Sequence, residues 1–181
     1  DVSGLQSTIF DPSIVNLFFS DNAANATIRG VEGDFTYYTN IEGLSVAGAF
    51  SLLNSNIDDK LVPTDDVVVG SELAFAPGHQ GNIRIRKETG MAGGNVGHIQ
   101  VQYTFSDKSY SDIMEPNKAK QDSYSYIDLR AGISNDELTA ELYVDNVTDE
   151  RAEISNTFVF DRQRIAYIRP TTIGIRVKKN F

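Results

Sequence analysis

The sequence contains no cysteine, so neither a disulfide framework nor a thiolate metal site is open to it. No apolar run approaches the roughly 18 residues of a membrane helix. Basic residues are the minority: 16 Lys and Arg against 25 Asp and Glu leave a formal net charge of -9. That balance excludes a nucleic-acid binder, which needs a basic face to neutralise phosphates. Catalytic signatures are missing too. There is no Gly-x-Ser-x-Gly elbow, no His-Glu-x-x-His, no phosphate loop and no calcium-loop spacing. The two histidines, His79 and His98, have no second ligand at a metal spacing. Gly90, Gly93 and Gly94 read as a hairpin turn, because no strand-to-helix context follows them. Asp58, Asp59, Asp65 and Asp66 read as a solvated loop, because they lack the alternating oxygen ligands of a cation site. No enzyme, cofactor or metal is expected.

What the sequence does have is alternation. In 171–181, Ile173, Ile175, Val177 and Phe181 fall on one parity; Thr172, Gly174, Arg176, Lys178 and Asn180 fall on the other. This is the period-2 pattern of a strand with one apolar and one polar face. The same plan recurs upstream. Val31, Phe35 and Tyr37 oppose Glu32, Asp34 and Thr36; Arg29 shares the apolar parity. Val46, Phe50 and Leu52 oppose small residues, and Ile83 and Ile85 oppose Asn82, Arg84 and Arg86. Ile99, Val101, Tyr103 and Phe105 oppose His98, Gln100, Gln102 and Thr104. Ile127, Leu129, Ala131 and Ile133 oppose Tyr126, Asp128 and Arg130; Leu138, Leu142 and Val144 oppose Thr139, Glu141 and Asp145. About eight strands and almost no helix are predicted, as an antiparallel meander in an all-β fold.

The connections sort by length. Short turns are predicted near residues 41, 92 and 136. Long connections are predicted over 11–24, 54–77, 106–122 and 146–169, the last with strand continuing over 157–160 and 165–168. Strict alternation of strand direction puts every short turn on the side where the chain ends. Transmembrane barrels sort their loops in this way. Tyr37, Tyr103, Phe105 and Tyr124 lie near strand ends, where interfacial aromatics belong. A soluble barrel or sandwich whose core is the polar parity would bury many charges at several kcal/mol each. The reading is therefore part of a transmembrane β-barrel wall, an open curved sheet if taken alone. Its lipid side would show Ile99, Val101, Leu129, Leu142 and Ile175. The alternatives are a complete eight-stranded outer-membrane barrel and a soluble β-sandwich binding module.

Three stretches carry a resemblance. Asn25-Ala26-Thr27-Ile28-Arg29-Gly30-Val31-Glu32-Gly33 is similar to a strand opening of the TonB-dependent outer-membrane receptors, and Asn146-Val147-Thr148-Asp149-Glu150-Arg151-Ala152 is similar to a strand end of that family. Arg169-Pro170-Thr171-Thr172-Ile173-Gly174 and Phe181 are similar to its last strand, although Lys179 stands where an apolar residue is common. The resemblance covers nearly the whole chain. It implies a Gram-negative outer-membrane location and residues 1–181 as a C-terminal segment of the barrel, about a third of a wall of about 22 strands. It further implies uptake of a scarce solute, a ferric siderophore first, powered through TonB. The implied partners are membrane lipid and lipopolysaccharide, a plug domain, the TonB complex and the barrel-assembly machinery. Lumen-facing candidates for solute or plug contact are Arg84, Arg86, His98, Gln100, Gln102, Asp128 and Arg130. Ile175, Val177 and Phe181 would form the assembly signal.

Overall fold

The computed structural model describes residues 1–10, 18–159 and 162–180. Eight antiparallel strands form one sheet: β1 (Val2–Phe10), β2 (Phe18–Tyr38), β3 (Leu44–Lys60), β4 (His79–Gly90), β5 (Val96–Ser106), β8 (Tyr124–Ser134), β9 (Leu138–Asp145) and β12 (Thr172–Lys179). They lie side by side in chain order, and β1 and β12 do not pair with each other. The sheet is therefore open. Two small sheets are set apart from it: β6 (Ser109–Tyr110) with β7 (Lys120–Gln121), and β10 (Glu153–Val159) with β11 (Arg162–Tyr167).

Register makes the two faces continuous. Residues directly opposite in an antiparallel pair share a face. Tyr37 faces Val46, Val46 faces Ile85, Ile85 faces Val101, Val101 faces Leu129, Leu129 faces Val144 and Val144 faces Ile173. One row of apolar side chains thus crosses seven strands. The next row runs through Ile99, Ala131, Leu142 and Ile175. These residues are exposed: Ile99 at 63% and Ile175 at 74%. All five residues expected on the lipid side share this face. Lys87 belongs to it as well, and its ammonium reaches the carbonyl of Glu42 in a short turn. The stem stays on the apolar surface while the charge escapes to its rim.

The turns at one end are tight. Gly43 has φ 68°, and a Cβ there would strike the Glu88 carbonyl, so the turn requires glycine. Asn135 closes the turn before β9 by accepting the amides of Glu137 (3.0 Å) and Leu138 (2.9 Å). At the other end the connections are long, and four sequence expectations are corrected there. Residues 18–24 are strand, with Asn22 facing Gln6. Residues 54–60 are strand, with Ile57 facing Ala26. Residues 106–122 hold β6, β7 and a turn of 3-10 helix at Glu115–Asn117. The strand pieces near 157 and 165 form a hairpin of their own and do not prolong the wall. The reason is length. A membrane crossing needs about 9–11 residues per strand, whereas β2 has 21 and β3 has 17. Beyond the membrane both faces can meet water, so the alternation that marks a strand fades.

This long-connection end holds the only buried apolar cluster among the described residues. Ile9, Ala23, Ala24, Ala26 and Ile57 come from the strand ends; Val67, Leu73, Ile113 and Met114 come from the two middle connections. The connections pair with each other through Val67 and Met114, and through the Glu115 amide donating to the Asp66 carbonyl (2.8 Å). The Leu73 amide donates to Ser55 Oγ (3.2 Å), which fixes one connection against the polar-face side of β3. The Glu72 carboxylate bonds Lys108 (3.1 Å) and raises its pKa above the ordinary lysine value.

Candidate functional site

The polar face is a set of rows in the same register. One row runs Glu32, Ser51, Gln80, Ser106, Tyr124; the next runs Asp34, Ala49, Asn82, Thr104, Tyr126. Then come Thr36, Ala47, Arg84, Gln102, Asp128, and below them Tyr38, Ser45, Arg86, Gln100, Arg130, Tyr143. A last row joins Glu88, His98, Gly132, Glu141 and Arg176. All seven candidate residues, Arg84, Arg86, His98, Gln100, Gln102, Asp128 and Arg130, stand on this one face. Tyr124 stands there too, at the first position of β8, near a strand end as the sequence predicts.

Side chains on the lower rows bind each other within and across strands. Arg86 contacts Glu88 (2.8 Å) and donates to Gln100 Oε1 (3.3 Å). Arg130 pairs with Asp145 (2.6 Å) and lies over the Tyr143 ring, 5.3 Å from its centre. Arg176 approaches the same ring and pairs with Glu141 (3.3 Å). Glu141 also bonds His98 Nε2 (3.1 Å). His98 is buried, at 6% exposure, and its Nδ1 has no partner among the described residues. Gly132 makes this possible, since a Cβ there would come within 2.7 Å of the imidazole. Tyr143 likewise lies across Gly174, where a Cβ would collide with the ring. Sequence reasoning missed this network because its members come from strands far apart in the chain. Among the described residues no group of carboxylates and histidines could hold a metal.

A second cluster ties the last connection. Asn146 and Asp149 adopt left-handed backbone, φ 51° and 47°. Asn146 is buried; its Nδ2 donates to the carbonyls of Glu150 and Arg169, both at 2.9 Å, and its Oδ1 accepts the Glu150 amide (2.9 Å). Its own amide donates to Asp128 (2.8 Å), and its carbonyl accepts the Thr171 hydroxyl (2.8 Å). The Thr171 amide donates to Asp149 (3.2 Å), which with Arg151 (3.0 Å) holds that carboxyl below its ordinary pKa. The stretch 146–149, a strand end by resemblance, is thus a knot joining β8, β9 and the entrance to β12. Of the assembly-signal residues, Ile175 and Val177 are exposed on the apolar edge strand; Phe181 lies outside the described residues.

Comparison with known proteins agrees with this geometry. No curated protein matches the chain. Among solved structures, the ferric yersiniabactin uptake receptor FyuA from Yersinia pestis superposes with a TM-score of 0.75 at 18% identity, over 90% of this chain and 25% of its own. The ferric preacinetobactin receptor BauA from Acinetobacter baumannii gives 0.68 at 17%, over 95% of this chain and 25% of its own. FpvA of P. aeruginosa, bound to heterologous pyoverdines, gives 0.62 at 16%, over 97% and 22%. The chain thus spans about a quarter of the length of the structures it matches. Residues 1–147 match the family described as TonB dependent receptor-like, beta-barrel. With one face apolar and exposed across a sheet whose two edges are open, the chain belongs to the TonB-dependent receptor β-barrel family, and it is a stretch of barrel wall from the outer membrane of a Gram-negative cell.

Proposed function

We propose that the chain is part of a receptor that takes up a scarce solute, a ferric siderophore, with energy delivered through TonB. The observation that carries this is the wall itself, which matches the receptor family over most of its length. The solved relatives named for ferric siderophores support the choice of solute. In this reading the long connections face outward and the short turns face the periplasm, as transmembrane barrels arrange them. The polar face is the lumen. Arg84, Arg86, His98, Gln100, Gln102, Asp128 and Arg130 meet a plug domain or the passing solute. The apolar face meets lipid and, at its outer rim, lipopolysaccharide. Ile175 and Val177, with Phe181, are read by the barrel-assembly machinery, and the free edges of β1 and β12 pair with further strands. A complete ring of eight would instead pair β1 with β12, which the sheet does not do.

The test is uptake of labelled iron by cells carrying the full-length receptor, with and without a functional TonB. Iron taken up from a siderophore complex only when both are present supports the reading. Uptake independent of TonB, or an effect confined to an iron-free solute, overturns it.

A further inference from the structure

The two upper lumen rows line an open recess of ≈ 560 Å³. That size lies within the range of small-molecule sites. Ser51 and Ala49 are short and form its floor; Glu32, Asp34, Gln80, Asn82, Thr104 and Tyr124 stand around it. Its polar members are two carboxylates, two carboxamides and hydroxyls; Phe50, Phe105, Gly33 and Gly81 also line it, and no lysine or arginine does. Ser51 Oγ donates to Glu32 (3.1 Å). Neither Glu32 nor Asp34 has a cationic partner among the described residues.

The rows below differ. There Arg86, Arg130 and Arg176 are each met by a carboxylate. Arg84, in the row next to Asp34, does not line the recess. The recess therefore holds two carboxylates without an ion-pair partner among the described residues, with Arg84 one row away and paired arginines in the rows below it. An ionised carboxylate only accepts hydrogen bonds. It attracts N–H and O–H donors and repels an anion, and like charges set together across an interface discriminate strongly. The net charge of this chain, -9, has the same sign. The carboxamides add both a donor and an acceptor each, which suits amide or hydroxamate edges.

We propose that this recess receives an uncharged or cationic, amide- or hydroxamate-bearing part of the solute, so that the receptor prefers neutral and cationic ferric complexes over polyanionic ones. The inference rests on the uptake reading above and names the charge class of its solute. The experiment is binding of iron-labelled complexes to the purified full-length receptor. The probes are a ferric linear trihydroxamate with a terminal ammonium, the same complex N-acetylated, and a trianionic ferric tris-catecholate. The two hydroxamates should bind at least about tenfold more tightly than the tris-catecholate. Glu32→Gln with Asp34→Asn should remove most of the advantage of the ammonium form. In the wild-type receptor, added salt should weaken the ammonium complex more than its acetylated form, a readout that needs no variant to fold. A tris-catecholate that binds as tightly as the hydroxamates, a preference untouched by the double substitution, or equal salt dependence of the two hydroxamates overturns the proposal and leaves uptake standing. Failure of every iron complex to bind overturns the uptake reading itself.

Discussion

Ile57 and Ile99 are the same residue in opposite situations. Ile57, in the cap formed by the strand ends and two long connections, is 1% exposed; Ile99, in the wall, is 63% exposed. The cap is held as a soluble protein is held, by apolar side chains withdrawn from water into one another. The wall has no such core. Its apolar side chains spread outward, and what removes them from water is lipid. Its strands are joined by ladder hydrogen bonds and by cross-strand contacts on the polar face. Stability in the cap thus belongs to the chain alone, whereas stability in the wall is shared with the solvent around it.

Four substitutions, and one titration with its own control variant, would break or sharpen this contrast, each made in the full-length receptor. The largest effect is expected for Ile57→Ala, about 2–5 kcal/mol, the usual cost of emptying a buried isoleucine site. Urea unfolding should register it equally in detergent and in vesicles. Leu142→Arg on the wall should cost about 2–4 kcal/mol in vesicles and much less in detergent. Equal costs in the two media would remove the distinction. Asn146→Ala should cost about 1–3 kcal/mol, since it removes the buried side chain that bonds Glu150 and Arg169. It should also raise hydrogen exchange of the Glu150 and Thr171 amides while leaving those of β4 unchanged. Glu141→Gln weakens the contacts to His98 and Arg176 without emptying space, and about 1 kcal/mol is expected. The smallest effect is the titration of Asp149. Its folded pKa is depressed, so its contribution is present above the ordinary carboxylate range. It is lost as pH falls below about 4, through the folded value. Exchange of the Thr171 amide should rise there, and Asp149→Asn should abolish that acid response.

The wall was legible in the sequence because lipid imposes a strict period of two. Val101 and Gln102 could be assigned to opposite faces with no knowledge of their neighbours. The cap was not legible. Ala24, Ala26 and Ile57 are buried by residues from 67 to 114, and nothing local to 18–24 or 54–60 announces those partners. Asp21, Asn22 and Asn54 read as loop residues because turns favour them, yet the pairing of β2 with β1 and β3 absorbs them. The polar network divides in the same way. That Arg86, His98 and Arg130 share a face follows from parity. That His98 reaches Glu141 over Gly132, or that Tyr143 covers Gly174, depends on register between strands.

The chain enters and leaves its last excursion through a single closed knot at Asn146, Asp149 and Thr171. Beyond that knot the hairpin of β10 and β11 rests against β7 and not on the seam between β9 and β12. The hairpin of β10 and β11 could be exchanged for a longer, shorter or foreign ornament without shifting a single rung of the wall. The hairpin is in this sense a replaceable part, and its attachment point is the fixed one.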